Sequence, residues 1–158
     1  MLDKLRKIIA DLASASGPER RQFDDNDYRL AAAALLVHLM SIDGEASAPE
    51  QQKLRVLLKS RFELDDAAAD ELVTTATRVE GEAVDIYHFT SLIMRSVDEK
   101  GRARIVEMMW ELVYADGHVS EFEESVIWRS AELLGISTNE RIALRHRVAE
   151  SAAAKPAG

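Results

Sequence analysis

Asp43, Gly44, Ser47 and Glu50 stand in the pattern D-G-x-x-S-x-x-E, and the pattern returns 73 positions later as Asp116, Gly117, Ser120 and Glu123. Carboxylates are hard oxygen donors. Together with the unpaired carbonyls at a helix end they suit calcium, magnesium or manganese. The turn is not an EF-hand loop, because the alternating Asp/Asn ligands before the glycine and the closing bidentate glutamate are missing. A metal site here has to draw on both copies, which makes Asp43, Glu50, Asp116 and Glu123 the candidate ligands.

Helix-ending chemistry explains part of the same pattern. Gly44 and Gly117 follow apolar runs, where a residue free to take positive φ stops a helix at little cost. Ser47 and Glu50, like Ser120 and Glu123, have the spacing of a capping box, in which serine and glutamate satisfy each other's backbone N–H groups. Pro49 falls in the first turn of the following helix, where its missing N–H is not needed. Each cap is worth about 1 kcal/mol. Asp43 and Asp116 fit this scheme less well. Each lies at the negative end of a helix macrodipole, where an anion is disfavoured by roughly 0.3–1 kcal/mol. Either an Asx-type hydrogen bond within the turn or a bound cation compensates, and at this level both readings stand.

Other chemistry has weaker support. Among the histidines, His118 lies two residues after Asp116 and could join a metal site; its counterpart in the first copy is Glu45. Asp85-x-x-His88 is half of a di-iron pattern whose second half is missing. There is no cysteine, no G-x-S-x-G elbow and no glycine-rich phosphate loop, so nucleophilic catalysis and nucleotide binding have no anchor. Glu107 and Glu111 share a helix face, as a solvated stripe or a carboxylate pair. Trp110 and Trp128 flank the second turn and are expected to be half-buried.

The elements that position these residues read as helices throughout. Tyr28–Ile42 is apolar on nearly every face, which marks a central helix capped from Asp25–Asp27. Leu54, Leu57, Leu58 and Phe62 form the stripe after the first turn. Asp65/Asp66 open a helix through Leu72, Val73, Ala76 and Val79, which Gly81 ends or follows. Asp85 caps a short helix carrying Ile86, Phe89, Leu92, Ile93 and Val97. Asp98-Glu99-Lys100-Gly101-Arg102 reads as a charged bridge between the copies. Ile105, Met108, Met109 and Leu112 lead to the second turn. Val126, Ser130 and Leu133/Leu134, with Ile127 beside them, run to a terminal glycine, Gly135. Cap residues Ser137–Glu140 open a last helix through Ile142, Leu144 and Val148. The expected fold is all-α: a compact bundle of about eight helices built on a duplicated helix-turn-helix.

Residues 1–22 form a separate amphipathic helix and linker, residues 23–151 the helical domain with halves at about 28–80 and 102–151, and residues 152–158 a tail expected to fray. Leu2, Leu5, Ile8, Ile9 and Leu12 face away from Lys4, Arg6 and Lys7, a pattern suited to docking on the domain, on another chain or on an anionic membrane surface. The formal net charge is −8; residues 22–136 hold 11 basic against 23 acidic side chains, which disfavours nucleic acid and favours cations or basic partners. With no cysteine, no bilayer-spanning apolar run and no signal-peptide core, a reducing cytoplasm is the expected location.

The paired D-G turns and their flanks, especially Glu107-Met108-Met109-Trp110-Glu111-Leu112-Val113-Tyr114-Ala115-Asp116-Gly117 and the continuation from Glu123 to Gly135, resemble the TerB-like family from about Phe23 to Arg147. The resemblance implies an all-helical domain tied to tellurite-resistance and stress-response systems. Related domains precede a membrane-anchored DnaJ-like co-chaperone. It also implies divalent metal binding through acidic residues, here Asp43, Glu50, Asp116 and Glu123, and protein partners near the inner membrane face. No His-Pro-Asp triplet occurs in this chain, so co-chaperone activity does not follow. A non-enzymatic domain is expected. The alternative is a protein-interaction adaptor at the cytoplasmic membrane face with no bound metal.

Overall fold

A computed structural model describes residues 23–42, 44, 46–115 and 119–154. Among them are seven helices and no strand: α1 (Tyr28–Met40), α2 (Ala48–Arg61), α3 (Asp66–Glu82), α4 (Tyr87–Ser96), α5 (Glu99–Tyr114), α6 (Glu121–Leu133) and α7 (Thr138–Ala154). The all-helical expectation holds. The N-terminal helix expected over Met1–Leu12 lies outside the described residues.

Helix α1 is the hub. Leu30 to Val37 and Leu39 are all buried, and α1 packs against α2, α3, α4, α5 and α6. Four consecutive alanines, Ala31–Ala34, keep its surface low, so neighbours can approach closely on several sides. Leu35, Leu36 and Leu39 are completely buried, and each such side chain contributes about 1.5–3 kcal/mol by leaving water.

The duplication is visible in the packing. Leu36 and Leu39 of α1 correspond to Met109 and Leu112 of α5, and Leu54 and Leu58 of α2 to Ile127 and Ala131 of α6; all eight are buried. Helices α1 and α5 pack against each other, α2 also packs on α5, and α6 also packs on α1. Each copy's second helix thus lies against the other copy's first, an exchange that brings the two connecting turns to one region of the molecule. Helix α3 packs on α1 and α2, α4 on α1 and α6, and α7 on α5.

Local chemistry sets most boundaries. Asp27, Asp65 and Asp98 each accept a backbone N–H at a helix start. Ser137 does the same for α7, its hydroxyl accepting from Glu140 N–H at 3.2 Å. Helix α6 ends in a Schellman turn: Gly135 has φ +72°, its N–H donates to Glu132, and Ile136 N–H donates to Ala131.

Several sequence expectations are corrected. Gly81 does not end α3, which runs on to Glu82 and is capped by Ala83. Asp98–Arg102 is no bridge: Asp98 is an N-cap, and its carboxylate accepts Gly101 N–H at 2.9 Å, so the charged stretch is the first turn of α5. Asp85 accepts from Tyr87 N–H at 2.8 Å, one residue out of the expected register, and the N-cap is Ile86. In α6 the buried residues are Ile127, Ser130 and Ala131 rather than Val126 and Leu133, which are only partly buried. Ile142 of α7 is 43% exposed, because Leu144 and Val148 face the core instead.

Candidate functional site

Both capping boxes form. Ser47 N–H donates to Glu50 Oε1 at 3.2 Å while Glu50 N–H donates to Ser47 Oγ at 3.3 Å. In the second copy the same bonds measure 2.9 Å from Ser120 N–H to Glu123 Oε1 and 3.1 Å from Glu123 N–H to Ser120 Oγ. Pro49 lies in the first turn of α2, as its missing N–H requires. Gly44, with φ +133°, closes the first turn by donating its N–H to Ser41 at 3.0 Å.

The glutamates do more than cap. Glu50 and Glu123 line one narrow cleft with Leu39 and Met40 from α1, Lys53 from α2, and Leu112 and Val113 from α5; its open volume is about 10 Å³. Residues 73 apart in sequence therefore share one space, and it lies where α1 and α5 both end. Among the described residues, Oε1 of each glutamate is held in its capping box, and neither Oε2 has a hydrogen-bond partner. Asp43 and Asp116, like Glu45 and His118, lie outside the described residues.

Electrostatics at the cleft favour a cation. Two helix C-termini direct their negative ends there, and two carboxylates stand on its walls. Lys53 is the cationic side chain in the lining, and its Nζ–H donates to the Ala115 carbonyl at the end of α5 at 3.5 Å. The free carboxylate oxygens suit a hard divalent ion. Among the described residues no three His, Cys, Asp or Glu side chains converge as a metal cage.

A family model for the tellurite resistance protein TerB matches residues 29–146. The chain belongs to the TerB family. No curated protein and no solved structure matches it. The TerB match spans both turns, nearly all of α1, α2 to α6, and about the first half of α7.

The remaining candidates resolve into structure. Glu107 and Glu111 of this TerB domain are engaged by Arg61, at 3.5 Å to Glu107 and in direct contact with Glu111, and Arg147 approaches Glu107 at 3.8 Å. Their charges are taken up in ion pairs rather than held for proton transfer. His38 Nδ1 pairs with Glu80 at 3.1 Å, while His88 and His146 are exposed.

Trp110 is not half-buried but wholly so, and among the described residues its indole N–H has no partner. Trp128 is partly buried, meets the Trp110 ring edge-on at 6.0 Å, and donates its N–H to Glu124 at 3.4 Å. A wider depression lined by Asp27, Tyr28, Arg29, Arg61, Phe62 and Glu63 lies at the start of α1 and end of α2. Arg29 there is bound by Asp27 at 2.6 Å, which pushes the guanidinium further above its ordinary range.

Lys53 was not legible as a site residue. Its contact with Ala115 joins positions 62 apart, and only the exchange of helices between copies creates it.

Among the described residues no helix is long and apolar enough to cross a membrane.

Proposed function

We propose that this TerB-family domain is a non-enzymatic protein that binds a divalent metal ion through its duplicated acidic turns, with Asp43, Glu50, Asp116 and Glu123 as ligands. One observation carries the reading: Glu50 and Glu123 stand in a single cleft with unengaged carboxylate oxygens. Asp43 and Asp116 each come three residues after a cleft-lining residue, Met40 and Val113. Calcium, magnesium and manganese are the ions whose oxygen preference fits. Bound metal supplies the positive charge that joins the two turns. Membership of the tellurite resistance protein family supports a place in tellurite resistance or a stress response, and this reading puts the protein in the cytoplasm, peripherally at the inner membrane face. Calorimetric titration with calcium, magnesium, manganese and zinc tests this. Heat of binding is expected for the native protein and lost in Asp43→Ala/Asp116→Ala. Absence of heat for every ion in the native protein removes the metal reading.

A second reading has its own observation. Phe122, between Glu121 and Glu123 at the start of α6, is 67% exposed. An aromatic ring beside an acidic turn suits a protein partner, and the domain then serves as an adaptor without an ion. Capture of a partner that survives Asp43→Ala/Asp116→Ala but not Phe122→Ala supports that reading over the first.

A further inference from the structure

The two copies differ at one matched place. In the first, Asp27, Tyr28, Arg29, Arg61, Phe62 and Glu63 line a depression of about 510 Å³ at the start of α1 and the end of α2. At the repeat spacing of 73, Tyr28 corresponds to Gly101 and Phe62 to Gly135. In the second copy that place is filled. The approach of Val97 Cγ1 leaves no room for a Cβ at Gly101, and Met94 Cε lies 3.7 Å from where one would stand at Gly135. Met94 belongs to α4 and Val97 caps it, so the helix that precedes α5 covers the junction of α5 with α6. Among the described residues no helix precedes α1.

The sequence ahead of α1 carries the apolar pattern of α4. Ile86, Phe89, Leu92 and Ile93 are buried, and Leu2, Leu5, Ile8 and Ile9 repeat their spacing 84 positions earlier. In that register Met94 corresponds to Ala10 and Val97 to Ala13. Size is then exchanged across the contact. Large side chains of α4 meet glycines in the second copy, and alanines meet Phe62 and Tyr28 in the first, which conserves the volume to be packed. Residues 14–23, at the spacing of 73, lack the pattern: Ser16, Glu19 and Arg20 stand where α4 has Phe89, Leu92 and Ile93, and Pro18 breaks a helix there. We propose that Met1–Leu12 docks its apolar stripe in the Tyr28/Phe62 depression of the same chain, as the first copy's counterpart of α4.

Reach and charge both permit this. Residues 13–22 separate the stripe from Phe23, and ten residues span up to about 33–36 Å, ample for a return to the start of α1. The floor of the depression is apolar: Tyr28 and Phe62 meet edge to face at 6.0 Å, and Tyr28 is 36% exposed. Its arginines are already matched, Arg29 by Asp27 and Arg61 by Glu107 and Glu111. Among the described residues the Glu63 carboxylate has no partner. The charge left over on the rim is therefore negative, and Lys4, Arg6 and Lys7 flank the stripe. A stripe seated there is withheld from lipid and from other chains. The inference does not depend on the metal reading.

The chain has no cysteine, so Ser60→Cys, exposed in the last turn of α2 and outside the lining, carries a nitroxide at one place. Amide resonances of Met1–Leu12 are followed in the full chain with the nitroxide oxidised and then reduced. They are expected to be lost in the oxidised protein and regained on reduction. Adding Leu5→Asp and Ile8→Asp, which changes no residue of the helical domain, is expected to keep them visible throughout, with circular dichroism confirming the fold. Resonances unaffected by the nitroxide overturn the proposal. So does an equal loss in the Leu5→Asp/Ile8→Asp protein, which would report the tether alone. Loss seen only when nitroxide-bearing chains are mixed with isotope-labelled, nitroxide-free chains also overturns it, and assigns the depression to the segment of a second copy.

Discussion

The guanidinium of Arg145, on α7, lies 5.0 Å over the buried ring of Trp110, on α5. The same group donates to the Tyr114 hydroxyl at 3.1 Å and to Glu124 of α6 at 2.6 Å. Those contacts, the Tyr114 bond first, hold its pKa above the ordinary arginine value, so the charge persists at every working pH. One side chain therefore ties three helices of the second copy together, through a planar fork and a cation–π face that lysine cannot reproduce.

Arg145→Met is accordingly expected to destabilise the domain by about 1–2 kcal/mol, since it breaks a charge-assisted bond and a cation–π contact that are only partly screened by water. Arg145→Lys should recover less than half of that. Urea denaturation followed by circular dichroism gives both values. Full recovery in the lysine variant would mean that charge alone matters and the ring contact contributes nothing.

Ser130 makes the opposite case. It is completely buried in α6, and among the described residues its hydroxyl has no partner. A buried hydroxyl without a hydrogen bond costs stability, and serine is a poorer helix former than alanine. Ser130→Ala should raise stability by about 1 kcal/mol. Thermal and urea unfolding both read this out. A loss of stability would show that the hydroxyl is bonded in solution.

What could be read from the chain and what could not divide along sequence distance. The capping boxes at Ser47/Glu50 and Ser120/Glu123, the Gly135 turn and the Asp27 and Asp65 caps each depend on residues a few positions apart, and all were legible. The apolar surround of Leu30–Leu39 marked α1 as central, because only a helix covered on all sides can bury every face. Trp110 is buried more deeply than its spacing indicates, because periodicity shows which face is apolar, not how many neighbours cover it. The stretch Asp98–Arg102 has the charge density of a linker, yet the capping geometry of Asp98 makes it a helix start. Lys53 meeting Ala115, and Glu50 meeting Glu123 across one cleft, depend on two copies exchanging helices, which no local pattern encodes.

Glu63 is a place where the chain accepts backbone strain. It follows the end of α2 with φ +52°, while Leu64 N–H donates back to Lys59 at 2.9 Å. That is the geometry of a Schellman turn with glutamate in the position glycine prefers. A side chain at positive φ costs about 1–2 kcal/mol, and glycine returns part of this as greater freedom in the unfolded chain. Glu63→Gly should therefore stabilise by about 0.5–1 kcal/mol. Glu63→Val, with a branched side chain in the same conformation, should do the reverse. If both variants unfold at the native midpoint, the turn relaxes in solution and the strain is absent.

Asp66 sets an acid limit on the α2–α3 contact. Lys59 donates to its carboxylate at 2.6 Å and Arg55 at 3.0 Å, while Arg55 also contacts Asp70. The Lys59 bond first, then the Arg55 bond, hold the Asp66 carboxyl below its ordinary value of 3.8. A carboxyl depressed by folding stabilises the native state fully above its unfolded value, and the contribution fades as pH falls through the lower folded value. The pairs are solvent-exposed, so the effect is small and weakened by salt. Asp66→Asn should therefore be slightly less stable than the native protein at pH 7 in dilute buffer. Urea midpoints of the two proteins should converge as pH drops below about 4, and also at 1 M salt at neutral pH. A gap that persists in acid would assign the loss to the amide's poorer placement in the first turn of α3 and not to the ionised carboxylate.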